Sequence, residues 1–203
     1  MVMPRTNVAI LAKAPIPGLS KTRLIPSIGA HAAAKLQEAM TERTVLIALA
    51  ARIGSVTLWC APDPTHASFR ELAAQHKITL KRQPDGDLGR RMLAAFAADP
   101  TLVVGSDCPA LKPVHFEAAA KALRDVDVVL IPAEDGGYVL IGARAAHADL
   151  FSGITWGTSS VLAQTRTRLS TLDLKSVELP ALWDVDTDDD LLRLERELPE
   201  LNL

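Results

Sequence analysis

A carboxylate directly follows one of the most apolar runs of this sequence. Residues 103–111 read VVGSDCPAL, which predicts a buried strand that ends at Gly105, with Asp107 just beyond it. Two prolines delay the helix that follows, so that Asp107 is poorly placed to cap it. A Mg²⁺ ion in a phosphate-binding site takes one or two protein carboxylates and completes its shell with water and phosphate oxygens. Asp107 is therefore predicted to be a metal ligand.

A second metal ligand is expected from the acidic segment at residues 183–191, WDVDTDDDL. A capping-box pattern begins at Thr187, and the acids after it suit the first turn of a helix through the helix dipole. Asp184 and Asp186 precede this cap and have no such structural explanation. They are the candidate partners of Asp107 in binding Mg²⁺ or Mn²⁺.

Basic residues follow the first strand-like run, in the segment AKAPIPGLSKTRL at residues 12–24. Backbone N–H groups and cations of such a loop can converge on a polyphosphate, although a plain surface loop is the alternative. The segment is not a P-loop, because Ser20 precedes the lysine, and the chain has no G-x-G-x-x-G motif. We expect exposed loop cations that bind phosphate. The candidate nucleotide-binding residues here are Ala12, Lys13, Gly18, Lys21 and Arg23.

The segment QPDGDLGRRM, residues 83–92, joins the third predicted strand to a helix. A turn that leads into a helix explains it structurally. Alternatively, Gln83 presents its amide to the edge of a base, and Gly86 and Gly89 let a flat ligand approach the backbone. Both interpretations remain open at this point.

Two later segments contain aromatic residues beside glycines, EDGGYVLIG at 134–142 and ITWGTSSVL at 154–162. A hairpin turn in the first and a helix cap in the second are one interpretation. The other is a pocket for a sugar or a small acid, bounded by the two aromatic rings. The candidate substrate-binding residues are Asp135, Gly136, Gly137, Tyr138, Trp156 and Thr158.

The cysteines indicate no zinc site and no thiol catalysis. Only Cys60 and Cys108 are present, without a C-x-x-C pair or a His/Cys ligand spacing, which is typical of reduced thiols. A nucleophilic Cys108 would need a nearby histidine, and the only local one, His115, falls inside a predicted helix.

Alternating strand-like and helical stretches must position these residues. The predicted strands are 7–12, 56–61, 79–83, 101–105, 127–132 and 172–179, and the predicted helices are 31–52, 65–76, 88–98, 113–124, 158–170 and 188–198. This alternation predicts an α/β fold with a mostly parallel sheet between helices. Residues 133–142 place a turn directly between two strand-like runs, which predicts one antiparallel strand. Ligands of such sheets bind beyond the carboxyl ends of the strands, and every motif above lies just past a strand.

Composition sets limits on the class of protein. The 203 residues, 48% of them hydrophobic and 23% charged, predict a single globular domain over residues 1–203. The formal charge of −2, without a basic tail, argues against nucleic acid as a partner. The apolar run near the N-terminus is too short for a signal sequence or a membrane span, so that we expect a cytoplasmic protein with no membrane partner.

Five of these motifs together resemble a known family. AKAPIPGLSKTRL, GSDCPAL, DGGYVLIG, WGTSSVL and WDVDTDDDL resemble the cofC-like glycosyltransferase-like transferases associated with radical-SAM and selenodomain gene sets, in the nucleotide-diphospho-sugar transferase superfamily. The resemblance implies a GT-A-like three-layer α/β/α sandwich, a nucleotide ligand and Mg²⁺. It further implies that Lys21 and Arg23 hold phosphates and that Gln83 faces the base. Asp107 and Asp186 would bind the metal.

One departure bears on the reaction. Many metal-dependent glycosyltransferases have a D-x-D motif where this chain has Ser106-Asp107-Cys108. Asp186 would supply the missing carboxylate, an arrangement closer to nucleotidyl transfer. We therefore expect Mg²⁺-dependent transfer from a nucleoside triphosphate to a small phosphorylated or acidic acceptor, with glycosyl transfer or non-catalytic nucleotide binding as alternatives. The expected catalytic residues are Lys21, Arg23 and Asp107.

Overall fold

The computed structural model describes residues 5–96 and 100–201. Strands and helices alternate along most of the chain. In chain order they are β1 (Asn7–Lys13), α1 (Ile25–Ala50), β2 (Val56–Ala61), α2 (Ala67–His76), β3 (Thr79–Arg82), α3 (Leu88–Ala95), β4 (Thr101–Gly105), α4 (Pro113–Ala122), β5 (Val128–Pro132), β6 (Tyr138–Ala143), α5 (Val161–Thr171), β7 (Ser176–Glu178) and α6 (Asp188–Glu197).

The strands form one seven-stranded sheet in the order β3-β2-β1-β4-β6-β5-β7. Among the strands of the described residues, only β6 runs antiparallel to its neighbours, β4 and β5, while the remaining pairs are parallel. The strand reverses there because the short turn between β5 and β6 leaves no room for a crossover helix. The predicted mostly parallel sheet with one antiparallel strand is confirmed.

Helices cover both faces of the sheet. Side chains of a strand alternate between the two faces, so that Val8 and Ile10 of β1 belong to one core and Ala9 to the other. The first core is completed by α1, α2 and α4, and the second by α3 and α5. This arrangement is the expected three-layer α/β/α sandwich.

Three predicted boundaries were wrong for local reasons. The first helix begins at Ile25 rather than 31, since it includes a kinked turn at Gly29. The predicted strand 172–179 is reduced to β7, because Asp173 has a left-handed backbone (φ 51°) in the turn that precedes it. The helix predicted at 158–170 starts at Val161, after a hydrogen-bonded turn. The predicted end of helix 88–98 lies outside the described residues.

The order of the strands fixes where a ligand binds. From β1 the chain proceeds outward through β2 and β3, then returns to β4 on the other side of β1. Strand order therefore reverses between β1 and β4, and a crevice forms beyond their carboxyl ends. Among the described residues, no helix is long and apolar enough to cross a membrane.

Candidate active site

A cavity of about 710 Å³ opens at the carboxyl ends of β1 and β4. This volume is typical of sites for small molecules. The segments that follow β1, β3, β4 and β5 line it, together with the acidic segment before α6. Of the site residues predicted from the sequence, all line the cavity except Gly18, Gly86, Gly89 and Gly136.

Lys21 lies at the centre of the charged part of this cavity. Its Nζ is 2.5 Å from Oδ1 of Asp107 and 3.9 Å from Oδ1 of Asp186, and it donates a hydrogen bond to the backbone oxygen of Val185 at 2.7 Å. Its side chain is only 4% exposed. The expectation of an exposed loop cation was therefore wrong for Lys21, because distant carboxylates cover it.

Arg23 is an exposed cation, as expected from the sequence. Its side chain is 68% exposed, and Nη1 is 3.0 Å from Oδ2 of Asp186. Two cations of the loop after β1 thus share one carboxylate of the acidic segment. The exposed guanidinium remains accessible to a ligand in the cavity.

Backbone hydrogen bonds hold the acidic segment along the sheet edge. The N–H of Leu182 donates to the oxygen of Pro132 at 3.0 Å, and the N–H of Val185 donates to the oxygen of Asp107 at 2.9 Å. These bonds fix the segment beside the ends of β5 and β4. Residues that are distant in sequence therefore meet at one edge.

Alternation along this extended segment aims its acids at the cavity. Trp183 and Val185 are buried in a core with α1 and α6. Asp184 and Asp186 alternate with them and line the cavity. The predicted capping box at Thr187 is present and starts α6 directly after this segment.

The carboxylates of the cavity perturb one another. Burial raises the pKa of Asp184 to about 6, and the charges of Asp135, Asp186 and Asp107 add to the effect. Burial also raises the pKa of Asp186, while the ammonium of Lys21 opposes that rise. Negative charge is thus concentrated at this edge, which favours binding of a cation.

The donor set fits a hard divalent cation that is shared with a ligand. Within residues 5–96 and 100–201, no group of three or more His, Cys, Asp or Glu side chains is arranged to hold a metal ion by itself. Carboxylate oxygens are nevertheless the ligands that Mg²⁺ prefers, and this ion usually takes only one or two of them beside water and phosphate. Asp107, Asp184 and Asp186 match that chemistry.

Gln83 has a more structural role than the sequence suggested. Its amide nitrogen donates to the backbone oxygens of Ala12 at 3.1 Å and Trp59 at 2.8 Å. Both donor hydrogens are therefore used to join β1, β2 and the loop after β3. Only the side-chain oxygen of Gln83 is left to face a base, as an acceptor.

In the turn between β5 and β6, one glycine has a structural role and the residues on either side of it line the cavity. Gly136 has φ 91°, and a Cβ there would lie 2.2 Å from the backbone oxygen of Ser159. Packing against the neighbouring loop therefore requires this glycine, and it does not line the cavity. Asp135 and Gly137 do line it, and the carboxylate of Asp135 accepts a hydrogen bond from the N–H of Gly137 at 2.9 Å.

The predicted aromatic pair is present in the cavity wall. The hydroxyl of Tyr138 lies 3.9 Å from Sδ of Met92, and burial raises the pKa of Tyr138. The ring of Trp156 packs near Phe151, with centroids 6.4 Å apart. The hydroxyl of Thr158 donates to the backbone oxygen at position 155 at 2.8 Å, so that it stabilises the turn before α5.

The two neighbours of Asp107 are buried, and both also line the cavity. Ser106 is buried and accepts a hydrogen bond from Nε2 of Gln37 at 2.9 Å. Burial raises the pKa of the Cys108 thiol to about 12. A thiol with this pKa stays protonated at neutral pH, whereas a catalytic nucleophile is a thiolate.

Arg91 is a cavity residue that sequence reasoning missed. It lies on α3 with Leu88 and Met92, at positions i, i+3 and i+4, and all three line the cavity. The helical spacing was a usable signal, because positions i, i+3 and i+4 share one face of a helix and Leu88 and Met92 are apolar. Leu19 and Leu88 are exposed apolar side chains that also line the cavity.

Comparison with family models identifies one match. The model of the family described as "Uncharacterized protein conserved in bacteria (DUF2064)" matches residues 44–158. The comparison with curated proteins gives no match.

Solved structures show the same fold over nearly the whole chain. A candidate nucleotide-diphospho-sugar transferase from Desulfovibrio desulfuricans G20 is 29% identical with a TM-score of 0.84, covering 97% of this chain and 90% of its own. A nucleotidyl transferase from Methanothermobacter is 16% identical with a TM-score of 0.65, covering 97% of this chain and 99% of its own. Glucosyl-3-phosphoglycerate synthase from Mycobacterium tuberculosis, in complex with Mn²⁺ and UDP, is 12% identical with a TM-score of 0.58, covering 98% of this chain and 78% of its own. The neighbours are transferases, and the GT-A-like fold expected from the sequence is confirmed.

Proposed function

This chain belongs to the DUF2064 family of bacterial proteins, and we propose that it is a Mg²⁺-dependent transferase that acts on a nucleotide-activated substrate. The proposed reaction is nucleotidyl transfer from a nucleoside triphosphate to a small phosphorylated or acidic acceptor. One observation carries the proposal. Lys21, Asp107 and Asp186 meet at the point where strand order reverses, inside a cavity of about 710 Å³.

Nucleotidyl transfer requires charge neutralisation more than covalent help from the protein. A bond forms between an acceptor oxygen and the α-phosphorus, the bond to pyrophosphate breaks, and negative charge spreads over the phosphoryl oxygens. Lys21 and Arg23 would bind these oxygens, and Lys13 at the end of β1 lines the same cavity. Gln83 would accept a hydrogen bond from the base.

The acidic residues have the complementary role. Asp107, Asp184 and Asp186 would hold Mg²⁺ or Mn²⁺, which supplies charge neutralisation and orients the phosphates when bound. In the structure the charges of Asp107 and Asp186 help to raise the pKa of Asp184, and Lys21 pairs with Asp107 and Asp186. The Mn²⁺ complex of the fold relative from M. tuberculosis supports a divalent ion in this fold.

Glycosyl transfer from a nucleotide-diphospho-sugar is the second candidate. The observation that favours it is the 29% identical structure from D. desulfuricans, a candidate enzyme of that class. Against it, the chain has Ser106-Asp107-Cys108 where a D-x-D motif would supply two carboxylates, so that this segment supplies only one. The two reactions differ in the donor that they consume.

The test measures donor binding and donor consumption separately. Thermal shift and calorimetry with the four nucleoside triphosphates and with nucleotide-diphospho-sugars, each with and without Mg²⁺, identify the donor. Incubation of that donor with a panel of small acids and phosphate esters then follows pyrophosphate release. Pyrophosphate release supports the proposal, and release of a nucleoside diphosphate from a sugar donor supports glycosyl transfer.

Matched variants connect either activity to the proposed site. Asp186→Asn is expected to abolish Mg²⁺-dependent nucleotide binding. Asp189→Asn, an exposed acid of the first turn of α6, removes the same charge outside the cavity and is expected to bind like the parent. Equal binding by both variants would contradict the proposed site, and tight binding without turnover would indicate a binding module.

A further inference from the structure

The basic side chains of the cavity differ in their partners. In the described part of the chain, the lysines and arginines that line the cavity are Lys13, Lys21, Arg23 and Arg91. Lys21 and Arg23 are neutralised by the carboxylates described above. Among the described residues, neither Lys13 nor Arg91 forms an ion pair, and Lys13 is exposed to solvent whereas Arg91 is partly buried. Arg91 is therefore the partly buried cation of the cavity that lacks a counter-ion.

Within residues 5–96 and 100–201, no hydrogen bond to the guanidinium of Arg91 is found either. Its Nε is buried and has no partner in the described part of the chain. Removing a charged donor from water without an acceptor costs free energy, because its hydration is not replaced. The planar fork of an arginine matches the two oxygens of a carboxylate or a phosphate. This environment favours an anion that the chain itself does not supply.

The adjacent Arg90 does not share the location of Arg91 in the cavity. Arg90 is exposed and its aliphatic stem lies against Gly86, outside the cavity. Arg91 is one residue further along α3 and therefore about 100° around the helix. The two adjacent arginines thus provide an internal comparison of a cavity-facing and a solvent-facing cation.

Contacts of Gly89 and Met92 place α3 against the aromatic residues of the cavity wall. A Cβ on Gly89 would lie 2.8 Å from Cζ2 of Trp156, so that the helix packs directly on this ring. One turn further, Sδ of Met92 lies 3.9 Å from the hydroxyl of Tyr138. Arg91 is two positions after Gly89 and one before Met92, about 200° and about 100° around the helix from them, so that it lines the same cavity from a different side of α3. The indole Nε1 of Trp156 is likewise buried without a partner among the described residues.

We propose that Arg91 binds the acidic group of the acceptor, a carboxylate or a phosphate monoester, in a subsite of the cavity that Tyr138 and Trp156 also line. The identity of the ligand as the acceptor rests on the proposed function. The anion-binding role of Arg91 does not, because it follows from the unpartnered guanidinium. The acceptor is then a small molecule with at least one negative charge, beside the oxygen that is nucleotidylated.

The test compares probes that share one carbon skeleton. Glycerol 3-phosphate, D-glycerate and uncharged glycerol are titrated into the protein without nucleotide or metal, and the side-chain N–H signal of Arg91 is followed by NMR. One or both acids are expected to bind and shift this signal, and glycerol is not. The stronger of the two acids identifies the class of acid group. Failure of both acids to bind the parent would overturn the proposal.

Variants separate Arg91 from its neighbour. Arg91→Gln is expected to weaken binding of the acid by about tenfold or more, as for loss of a charged hydrogen bond, while Arg90→Gln stays near the parent. Arg91→Lys keeps the charge and the apolar stem, so that it is expected to fold and to recover part of the affinity. Equal affinities in Arg91→Gln, Arg91→Lys and Arg90→Gln would overturn the proposal.

Nucleotide binding is measured in the same variants. Arg91→Gln is expected to bind Mg²⁺-nucleotide like Arg90→Gln, and an equal loss of nucleotide and acid affinity would overturn the proposal by placing Arg91 at the donor phosphates. If the parent binds acids through Arg91 but binds no nucleotide, the proposed function fails and the anion subsite stands. If it binds Mg²⁺-nucleotide but its acid binding ignores Arg91, the proposed function stands and the subsite fails.

Discussion

Asp184→Asn is expected to stabilise the metal-free protein and to remove its response to metal. Burial and three neighbouring carboxylates raise the pKa of Asp184 from 3.8 to about 6. A shift of about two pKa units corresponds to ~3 kcal/mol, and solvent access to this partly exposed side chain reduces the expected effect to ~1 kcal/mol. For a chain of this size that is a rise in Tm of about 3 °C at pH 7.

The pH dependence has a defined sign. Below about pH 4 the carboxyl group is protonated in the folded and unfolded states and contributes nothing. As pH rises from about 4 to 6, the unfolded chain releases the proton while the folded protein retains it, so that the parent loses stability over this window. The variant lacks this loss, and the two Tm values are expected to diverge with rising pH.

The assay is thermal unfolding in EDTA between pH 4 and pH 7. Asp189→Asn is the control, because this exposed acid lies in the first turn of α6 outside the cavity, and its removal costs at most the small helix-dipole effect of about 0.3–1 kcal/mol. A Tm difference between Asp184→Asn and the parent that is the same at pH 4 and pH 7 would refute the reasoning. Added Mg²⁺ and nucleotide are expected to raise the Tm of the parent and not that of Asp184→Asn.

Three further substitutions test other parts of the site. Lys21→Met is expected to abolish Mg²⁺-nucleotide binding in calorimetry and to lower the free energy of unfolding. The loss of stability should be smaller than the about 3–5 kcal/mol for breaking a fully buried pair, because Asp107 is 46% exposed. An unchanged unfolding midpoint in urea would contradict this expectation. Gly136→Ala is expected to destabilise by more than about 2 kcal/mol, since it combines a positive φ with a Cβ 2.2 Å from a backbone oxygen, and a Tm near that of the parent would show that the turn can relax. Cys108→Ala is expected to retain turnover in a pyrophosphate-release assay, and complete inactivation of the folded variant would indicate thiol chemistry.

Local patterns predicted the sheet, and they also singled out acidic side chains that line the cavity, because both depend on short-range rules. Alternating strands and helices place strand ends at one edge whatever the details of packing. Asp184 and Asp186 emerged because the capping box at Thr187 explained the neighbouring acids and not these two. The structure shows both beside Asp107.

The features of the site that the sequence did not predict depend on contacts between residues that are distant in sequence. Lys21 is buried because Asp186, 165 residues later, lies beside it, and no local pattern contains that contact. The side-chain amide of Gln83 donates hydrogen bonds to β1 and β2. Its position in a loop of the sequence gives no sign of these partners. Arg91 differs from Arg90 only in which side of α3 faces the cavity, and that side depends on how the helix packs on Trp156.

The contact of Lys21 with Asp107 and Asp186 has a consequence for the biosynthesis of the protein. Lys21 and Asp107 follow two adjacent central strands, but Asp186 belongs to a segment that reaches the sheet edge only after β7. A nascent chain synthesised from its N-terminus can therefore pair β1 with β4 before the segment that covers Lys21 has left the ribosome. Completion of the charged cluster is thus a late step of co-translational folding, and a chain interrupted before residue 184 would lack two of the three acidic residues proposed to bind metal.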